Sequence, residues 1–540
     1  MASSPPTTPE APSEWAPLRI PLFRIIWLAT LAANIGTWFQ NVGGVWLMTT
    51  LTPSPVMVAL MQTATSASAL LVCLPAGALA DIVNRRQLLL WAQGLILTVA
   101  IVLSILTFLG ATTPWVLLTC TFLLGMGANA ASPAWQAVTS ELVPADELPA
   151  AVTLNSVSFN LARAVGPALA GVIVALAGSG MVFLLNAIAA FYVVATLYRW
   201  HTTPHKTILP AERMSAAVRT GVRFIRHSPE MQTILIRTFL FIFFISGFWA
   251  LLPVVVRHEL KLGSLGYGII LGCIGIGAVA GAALLPGIQR RFPIADTQVA
   301  ISTIVLALVM VALGLIRNLP LLCLITAIGG ISWIMLVSNF NVSVQEASPA
   351  WVRARALGAY LVIYQGGNAL GSLVWGLMAS WVGNPAALLI AAIGAVVALV
   401  AMMRWRLADA EKQDLRPWHT SEPKVLIEPK LNEGPVLIKI EYSIDPQQAT
   451  NFIQAMYDVG RMRERDGASS WSLYYDPTNL QGHIEVFLVE SWVAYLRQLD
   501  RMTVADHAIE DRACAFHQGS EPPPTRALVA DHIGKFAAKV

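Results

Sequence analysis

The chain has 540 residues, 56% of them hydrophobic and only 12% charged, with a formal net charge of +4. A soluble domain carries about 25% charged residues, so a water-soluble globular protein is excluded. The small positive excess comes without a basic-aromatic patch, and no nucleic-acid partner is expected.

The N-terminal stretch "MASSPPTTPEAPSEWAP" lacks the basic, apolar and cleavage regions of a signal peptide. Residues 1–19 read as a disordered cytoplasmic tail. Apolar runs punctuated by Gly, Pro and charge then predict about twelve membrane-crossing helices. Their spans are 20–48, 55–80, 87–109, 113–138, 146–177, 180–200, 230–256, 264–289, 295–316, 319–345, 351–381 and 384–405. Arg85, Arg86, Arg290, Arg291, Arg353, Arg355, Arg404, Arg406 and the basic stretch 206–226 collect on one side. Arg257, Lys261 and Arg317 fall on the other. The positive-inside rule places the first group and both termini in the cytoplasm.

In chain order, helix one carries a stripe of Asn34, Trp38 and Asn41. The connection "GALADIVNRRQLLL" packs Asp81, Arg85 and Arg86 together behind Gly77. Gln136 lies in helix four. In helix five, Asn155, Phe159, Arg163 and Gly166 recur at i, i+4, i+8 and i+11, one helix face. Arg163 is the one charge placed deep in a helix, and such a charge is costly unless it meets a wet cavity or a partner. The polar stretch 201–229 divides the helices six and six; its "MSAAVRTGVRFIRHSP" fits a membrane-surface helix or a plain solvated linker equally well.

An internal repeat supports this division. The offset of 205 residues that separates Arg85–Arg86 from Arg290–Arg291 also carries Glu141 onto Glu346, Gly166 onto Gly371 and Gly171 onto Gly376. It carries the helix-five stripe onto Tyr360, Tyr364 and Asn368, and Gln136 onto Asn341. Paired polar-aromatic stripes in two related bundles are expected to wall a central pathway. Single amides can also serve simply as interhelical glue.

Residues 408–434 read as a linker. Beyond Pro435 the pattern turns soluble: strand at "VLIKIEYSI", helix at "PQQATNFIQAMYDVGRMRERDG", strands at "SWSLYYDP" and "HIEVFLVESW", a helical stretch to Phe516, and a strand near "TRALVAD". This β-α-β-β-α-β order is the ferredoxin-like pattern. The expected organisation is thus a tail (1–19), a six-helix bundle (20–200), a cytoplasmic linker (201–229), a second six-helix bundle (230–407), a linker (408–434) and a cytoplasmic ferredoxin-like domain (435–540). The fold class is an all-α polytopic membrane protein with a small α+β appendage. The five cysteines show no metal-ligand spacing, and neither metal nor cofactor is expected.

Gly77, Leu79, Asp81, Arg85 and Arg86 resemble the signature of the second-to-third-helix connection in the major facilitator superfamily. Asn84 replaces its second glycine. "LTPSP" and "ELVPADELPAAVTLN…ARAVGPALAG" resemble its exporter branch, with enterobactin-exporter-like and macrolide-efflux-like members. Gly166, Pro167 and Gly171 match the exporters' helix-five motif, with Ala162 and Ala170 in place of glycines. The resemblance implies a cytoplasmic gate made by Gly77, Asp81, Arg85, Arg86, Arg290 and Arg291, with Asp81 facing the start of helix eleven. It implies export of a drug-like or siderophore-like compound across the bacterial inner membrane, with protons as coupling ion. No deeply buried carboxylate is seen to carry the proton. The last hundred residues resemble antibiotic-biosynthesis-monooxygenase-like domains, which often pair as homodimers. That leaves as alternatives a membrane-anchored oxidase using His483, His507, Trp471 and Trp492, or a lipid or lysophospholipid transporter; a regulatory or dimerising appendage is the preferred reading.

Overall fold

The computed structural model describes residues 15–530, apart from 83–84, 145–146, 201–213, 404–413, 419–424, 426–428, 431 and 520. Side chains at 73–82, 85, 133, 136–137, 139–141 and 214–218 also lie outside the described set. Two compact units divide the chain. One holds Met1–Ala211, Ile236–Phe340 and Tyr360–Trp405, and the other Glu212–Leu235, Asn341–Ala359 and Arg406–Val540.

The apolar runs form α1 (Pro21–Leu51), α2 (Pro55–Ile82), α3 (Arg85–Phe108), α4 (Pro114–Leu142), α5 (Leu148–Arg199), α7 (Pro229–His258), α8 (Ser264–Arg291), α9 (Ala295–Leu315), α10 (Leu319–Glu346), α11 (Arg353–Val382) and α12 (Asn384–Met402); α6 (Met214–His227) lies between the halves. Among the described residues, ten helices are long and apolar enough to cross a membrane. The 52-residue α5 is twice the needed length and breaks at Gly178, whose φ of 77° only glycine takes without strain. It therefore supplies both crossings expected over 146–177 and 180–200. α11 has the length of a crossing, but Gln365, Asn368 and its glycines leave it too polar to count among the ten.

In hydrocarbon, helices associate through close contact of small residues rather than through exclusion of water. Ala29, Ala92, Ala131 and Ala134, each no more than 5% exposed, let α1, α3 and α4 approach around Leu89, Val193 and Leu197. α1 packs along α5, α3 against α4 and α5, α2 against α4, and α9 against α12, while α5 meets α8 of the other half.

The second unit contains a four-stranded antiparallel sheet in the order β2-β3-β1-β4. Its strands are β1 (Val436–Ser443), β2 (Ser470–Asp476), β3 (Asn479–Val489) and β4 (Thr525–Val529), with helices α13 (Ala449–Asp466), α14 (Trp492–Asp500) and α15 (Val504–Cys514). This is the expected ferredoxin-like order. The single helical stretch expected after Trp492 is two helices, because Thr503 and Asp506 form a capping box that starts α15 afresh. Val436, Ile438, Phe452, Met456, Phe487 and Val489 fill the core.

Glu485 is fully buried in that core and accepts from Tyr442 Oη (3.0 Å), Trp471 Nε1 (3.1 Å) and Arg463 Nε (3.2 Å). Arg463 also pairs with Glu510 at 2.6 Å. Removing one member of a buried charged network leaves the others unsatisfied, at a cost of about 3–5 kcal/mol. Glu485→Ala should therefore greatly increase amide exchange across β1 and β3 of the full-length protein, while Glu485→Gln should be milder.

Candidate functional site

A cavity of about 230 Å³ lies within the first unit. Trp38, Gln40 and Asn41 of α1, Gln62 and Thr65 of α2, and Thr121 of α4 line it from the first half. Trp249 of α7, Tyr267 of α8, Trp333 of α10, and Tyr364 and Asn368 of α11 line it from the second. The lining is aromatic and amide-rich without a carboxylate. Trp249 and Trp333 meet edge to face at 5.6 Å. Gln40 is 7% exposed, and both its amide nitrogen and its amide oxygen lack a hydrogen-bond partner. An unsatisfied buried amide costs free energy, so a group that both donates and accepts would be favoured here.

Close contacts join helices of the two halves beside this region. On α5 and α8, glycines bring the backbones together: a Cβ at Gly268 would lie 2.7 Å from Pro167 O, and one at Gly275 2.6 Å from Arg163 O. Ser264 Oγ donates to Gly171 O at 3.2 Å. The related pair repeats this, since a Cβ at Gly376 of α11 would lie 2.5 Å from Ala59 Cβ of α2. Asn368 Nδ2 donates to Ser66 Oγ (2.9 Å) and Thr63 Oγ1 to Ala369 O (3.1 Å). Arg257 of α7 sits 5.5 Å over the Trp46 ring and donates to Thr49 of α1 at 3.4 Å, beside a stacked Trp46–Tyr267 pair. On α2 these contacts fall at residues 59–66, the end away from Gly77 and Asp81.

The sequence-derived residues separate into groups. Trp38, Asn41, Tyr364 and Asn368 line the cavity. Tyr360 is buried behind Tyr364, with ring centres 6.1 Å apart, and Arg163 lies within electrostatic reach of Tyr364 without lining the cavity. Asn34 donates to Ser158 Oγ of α5 at 3.5 Å, an interhelical tie. Asn155 is half-buried, and Phe159 is 51% exposed and outside the lining. Asn341 belongs to the second unit, where it accepts from Gln345 at 2.7 Å. Gly166 abuts Trp38, with a Cβ placed there 2.8 Å from the Trp38 Cβ. Pro167 and Gly171 form the α8 contact.

Of the gate residues, the side chains of Gly77, Asp81 and Arg85, like that of Gln136, lie outside the described residues. Arg86 donates to the last-turn carbonyls Leu197 O (2.9 Å) and Tyr198 O (2.6 Å) of α5, satisfying helix-end acceptors. Arg290 and Arg291 are exposed at the end of α8. Arg163 is not the one charge inside a helix: Arg237 of α7 is 5% exposed and pairs with Asp296 of α9 at 2.5 Å. Trp249, Tyr267 and Trp333 escaped the sequence reading because they lie in largely apolar helices, and Gln40 and Gln62 because they fall outside the stripes that the repeat singles out.

The four residues that an oxidase would use have these surroundings in the sheet domain. Trp471 serves Glu485, Trp492 is 4% exposed in the core, His483 packs against Phe452, and His507 stacks on Trp418 at 4.2 Å.

The family model described as "Transmembrane secretion effector" matches residues 12–533. The chain belongs to that family. It is a multi-pass transporter of the major facilitator superfamily, and the family match takes in the sheet domain as well as the helices. The chain is 25% identical over 257 residues to the Staphyloferrin A transporter of Staphylococcus aureus, covering 47% of this chain and 64% of that one, so it spans less than two thirds of that relative. It is 24% identical over 379 residues to the multidrug efflux pump Tap of Mycolicibacterium fortuitum, covering 68% of this chain and 90% of the pump. The fold matches the nucleoside transporter NupG with a TM-score of 0.60 at 14% identity, over 71% of this chain and 99% of that one. A bacterial homolog of the human lysosomal transporter Spinster matches with a TM-score of 0.56 at 14% identity, over 73% and 99%.

Proposed function

We propose that the protein exports a small organic compound, drug-like or siderophore-like, across the bacterial inner membrane by alternating access, driven by protons. The observation that carries this reading is the cavity shared by both halves, with the unpartnered Gln40 amide among five indole and phenol rings. Such a lining suits an aromatic or amide-bearing compound that can stack and exchange hydrogen bonds. Arg163, one step from the cavity, adds a preference for an acid-bearing substrate. The named relatives, a siderophore transporter and a multidrug efflux pump, point to the same substrate classes. The glycine contacts of α5 with α8 and of α11 with α2 form the barrier at one end, and Asp81 with Arg85 and Arg86 would latch the cytoplasmic end. Both termini and the sheet domain would then be cytoplasmic.

Inverted membrane vesicles containing the protein test this with a panel of fluorescent drugs and siderophores, with and without an imposed proton gradient. Gradient-dependent accumulation is expected. Gln40→Ala should weaken uptake of the best substrate about tenfold, the worth of one buried hydrogen-bonding group. Arg163→Ala should shift the range toward neutral compounds. Wild-type vesicles that accumulate nothing, or variants with an unchanged range, would refute the site.

A further inference from the structure

α8 and α10 run side by side within the first unit, and small residues set their register. A Cβ at Gly277 of α8 would run into Ala327 O of α10, and one at Gly281 would lie 2.8 Å from the Ile331 Cα. From the other side, a Cβ at Gly330 would lie 2.9 Å from Ala278 N. Gly277 with Ala327 and Gly281 with Ile331 are each 50 residues apart. The same offset pairs Cys273 with Cys323, one turn earlier along both helices. Those two side chains are hydrogen-bond neighbours, as the register requires. Neither is in a disulfide, and each keeps part of its surface open.

Thiols in apolar helices commonly serve as small hydrophobes. Here the backbone adds a second condition. Bridging two cysteines requires Cα atoms within about 7 Å of each other. The missing Cβ of Gly277 would lie 2.9 Å from the Ala327 Cα. A Cβ is one bond of about 1.5 Å from its own Cα, so the Cα atoms of that pair stand within about 5 Å. Gly281 and Ile331 repeat this approach one turn further on. The cysteine pair continues the same seam.

We propose that Cys273 and Cys323 are a redox-modification site, which a soluble disulfide oxidises to an intramolecular disulfide tying α8 to α10. One thiol, as its thiolate, attacks the reagent and releases one small thiol, leaving a mixed disulfide on the protein. The second protein thiol then displaces the other small thiol. Two electrons pass to the reagent, and the two protons end on the released thiols. Cys323 lies one turn inside α10, at the end next to Arg317. On the orientation proposed above, that end faces away from the cytoplasm, where thiols meet oxidants. The chemistry itself does not depend on that orientation.

Dipyridyl disulfide added to the full-length protein in detergent tests the site, with peptide masses as the readout. An isolated cysteine keeps a pyridylthio group. The peptides of Cys273 and Cys323 should instead be recovered joined, two hydrogens lighter and without an adduct. Cys273→Ser should leave the adduct on Cys323, and Cys323→Ser should leave it on Cys273. The cross-link closes a loop of 50 residues, so the midpoint of thermal unfolding should rise, and return when dithiothreitol is added. Pyridylthio groups retained on both cysteines, or two thiols left unreacted, would overturn the site. A midpoint indifferent to a cross-link that has formed would overturn the tie between the helices. Should a serine variant not fold, the wild-type peptide masses decide alone.

Discussion

Gly268→Leu is expected to abolish most transport while leaving the protein folded. A Cβ at residue 268 would stand 2.7 Å from Pro167 O and 2.9 Å from the Gly171 Cα. Both are backbone atoms of α5 and have no rotamer to yield. The approach is tight along the whole seam, since a Cβ at Gly171 would lie 2.8 Å from Ser264 O in return. A leucine must push α5 and α8 apart, and overpacking of this kind costs roughly 1–3 kcal/mol. That cost falls on the conformation in which this end is closed, shifting its population by about ten- to a hundredfold. Transport should fall to about a tenth or less. Thr49, 3% exposed beneath Arg257 at the same end, reports the shift independently. In a background without native cysteines, Thr49→Cys should react faster with an impermeant thiol reagent when residue 268 is leucine. Gly94 has open space around its missing Cβ, so Gly94→Leu is the control that should transport normally. Normal transport and unchanged labelling in the Gly268 variant would show that this seam is not a gate.

Asp296→Ala should be the most destabilising single change in the second half. Its carboxylate lies 2.5 Å from Arg237, which is 5% exposed in α7. Truncating it leaves the guanidinium short of a charged partner in a medium that solvates it poorly, at a cost of about 3 kcal/mol. Arg237→Met should cost less, because Asp296 is 24% exposed and sits in the first turn of α9, where the helix dipole favours a negative charge. The double variant should recover much of the loss, so the two changes are strongly non-additive. Thermal unfolding of the four proteins in detergent measures the cycle. Additive changes in unfolding midpoint would mean that the pair has no energetic coupling.

The two predictions differ in how far the sequence anticipates them. Gly166, Pro167 and Gly171 could be singled out as sites of close packing from residue type alone, because a helix without Cβ atoms on one face invites another backbone. Which backbone it meets was not legible, as α8 begins 93 residues beyond Gly171. The offset of 205 residues came closer. It pairs Gly166 with Gly371 and Trp38 with Phe243, and in the structure Gly166 abuts Trp38 just as Gly371 abuts Phe243. Arg237 was overlooked because a charge near a helix end resembles a topology marker until its partner on another helix is known.

What the sequence determined by itself was everything set by local periodicity and composition: the membrane class, the apolar spans, the interruption between residues 177 and 180, and the succession of strands and helices along the appended sheet domain. These depend on residues close in the chain, where hydrocarbon thickness, helical and strand periods and glycine's backbone freedom leave few solutions. Only the tertiary structure decided which faces look inward. Trp249 and Trp333 were chosen for the cavity, and Phe159 was left exposed outside it. A helix apolar on every side has no amphipathic signal to orient it. Its inner face is set by the small residues and polar ties of neighbours far away in the chain.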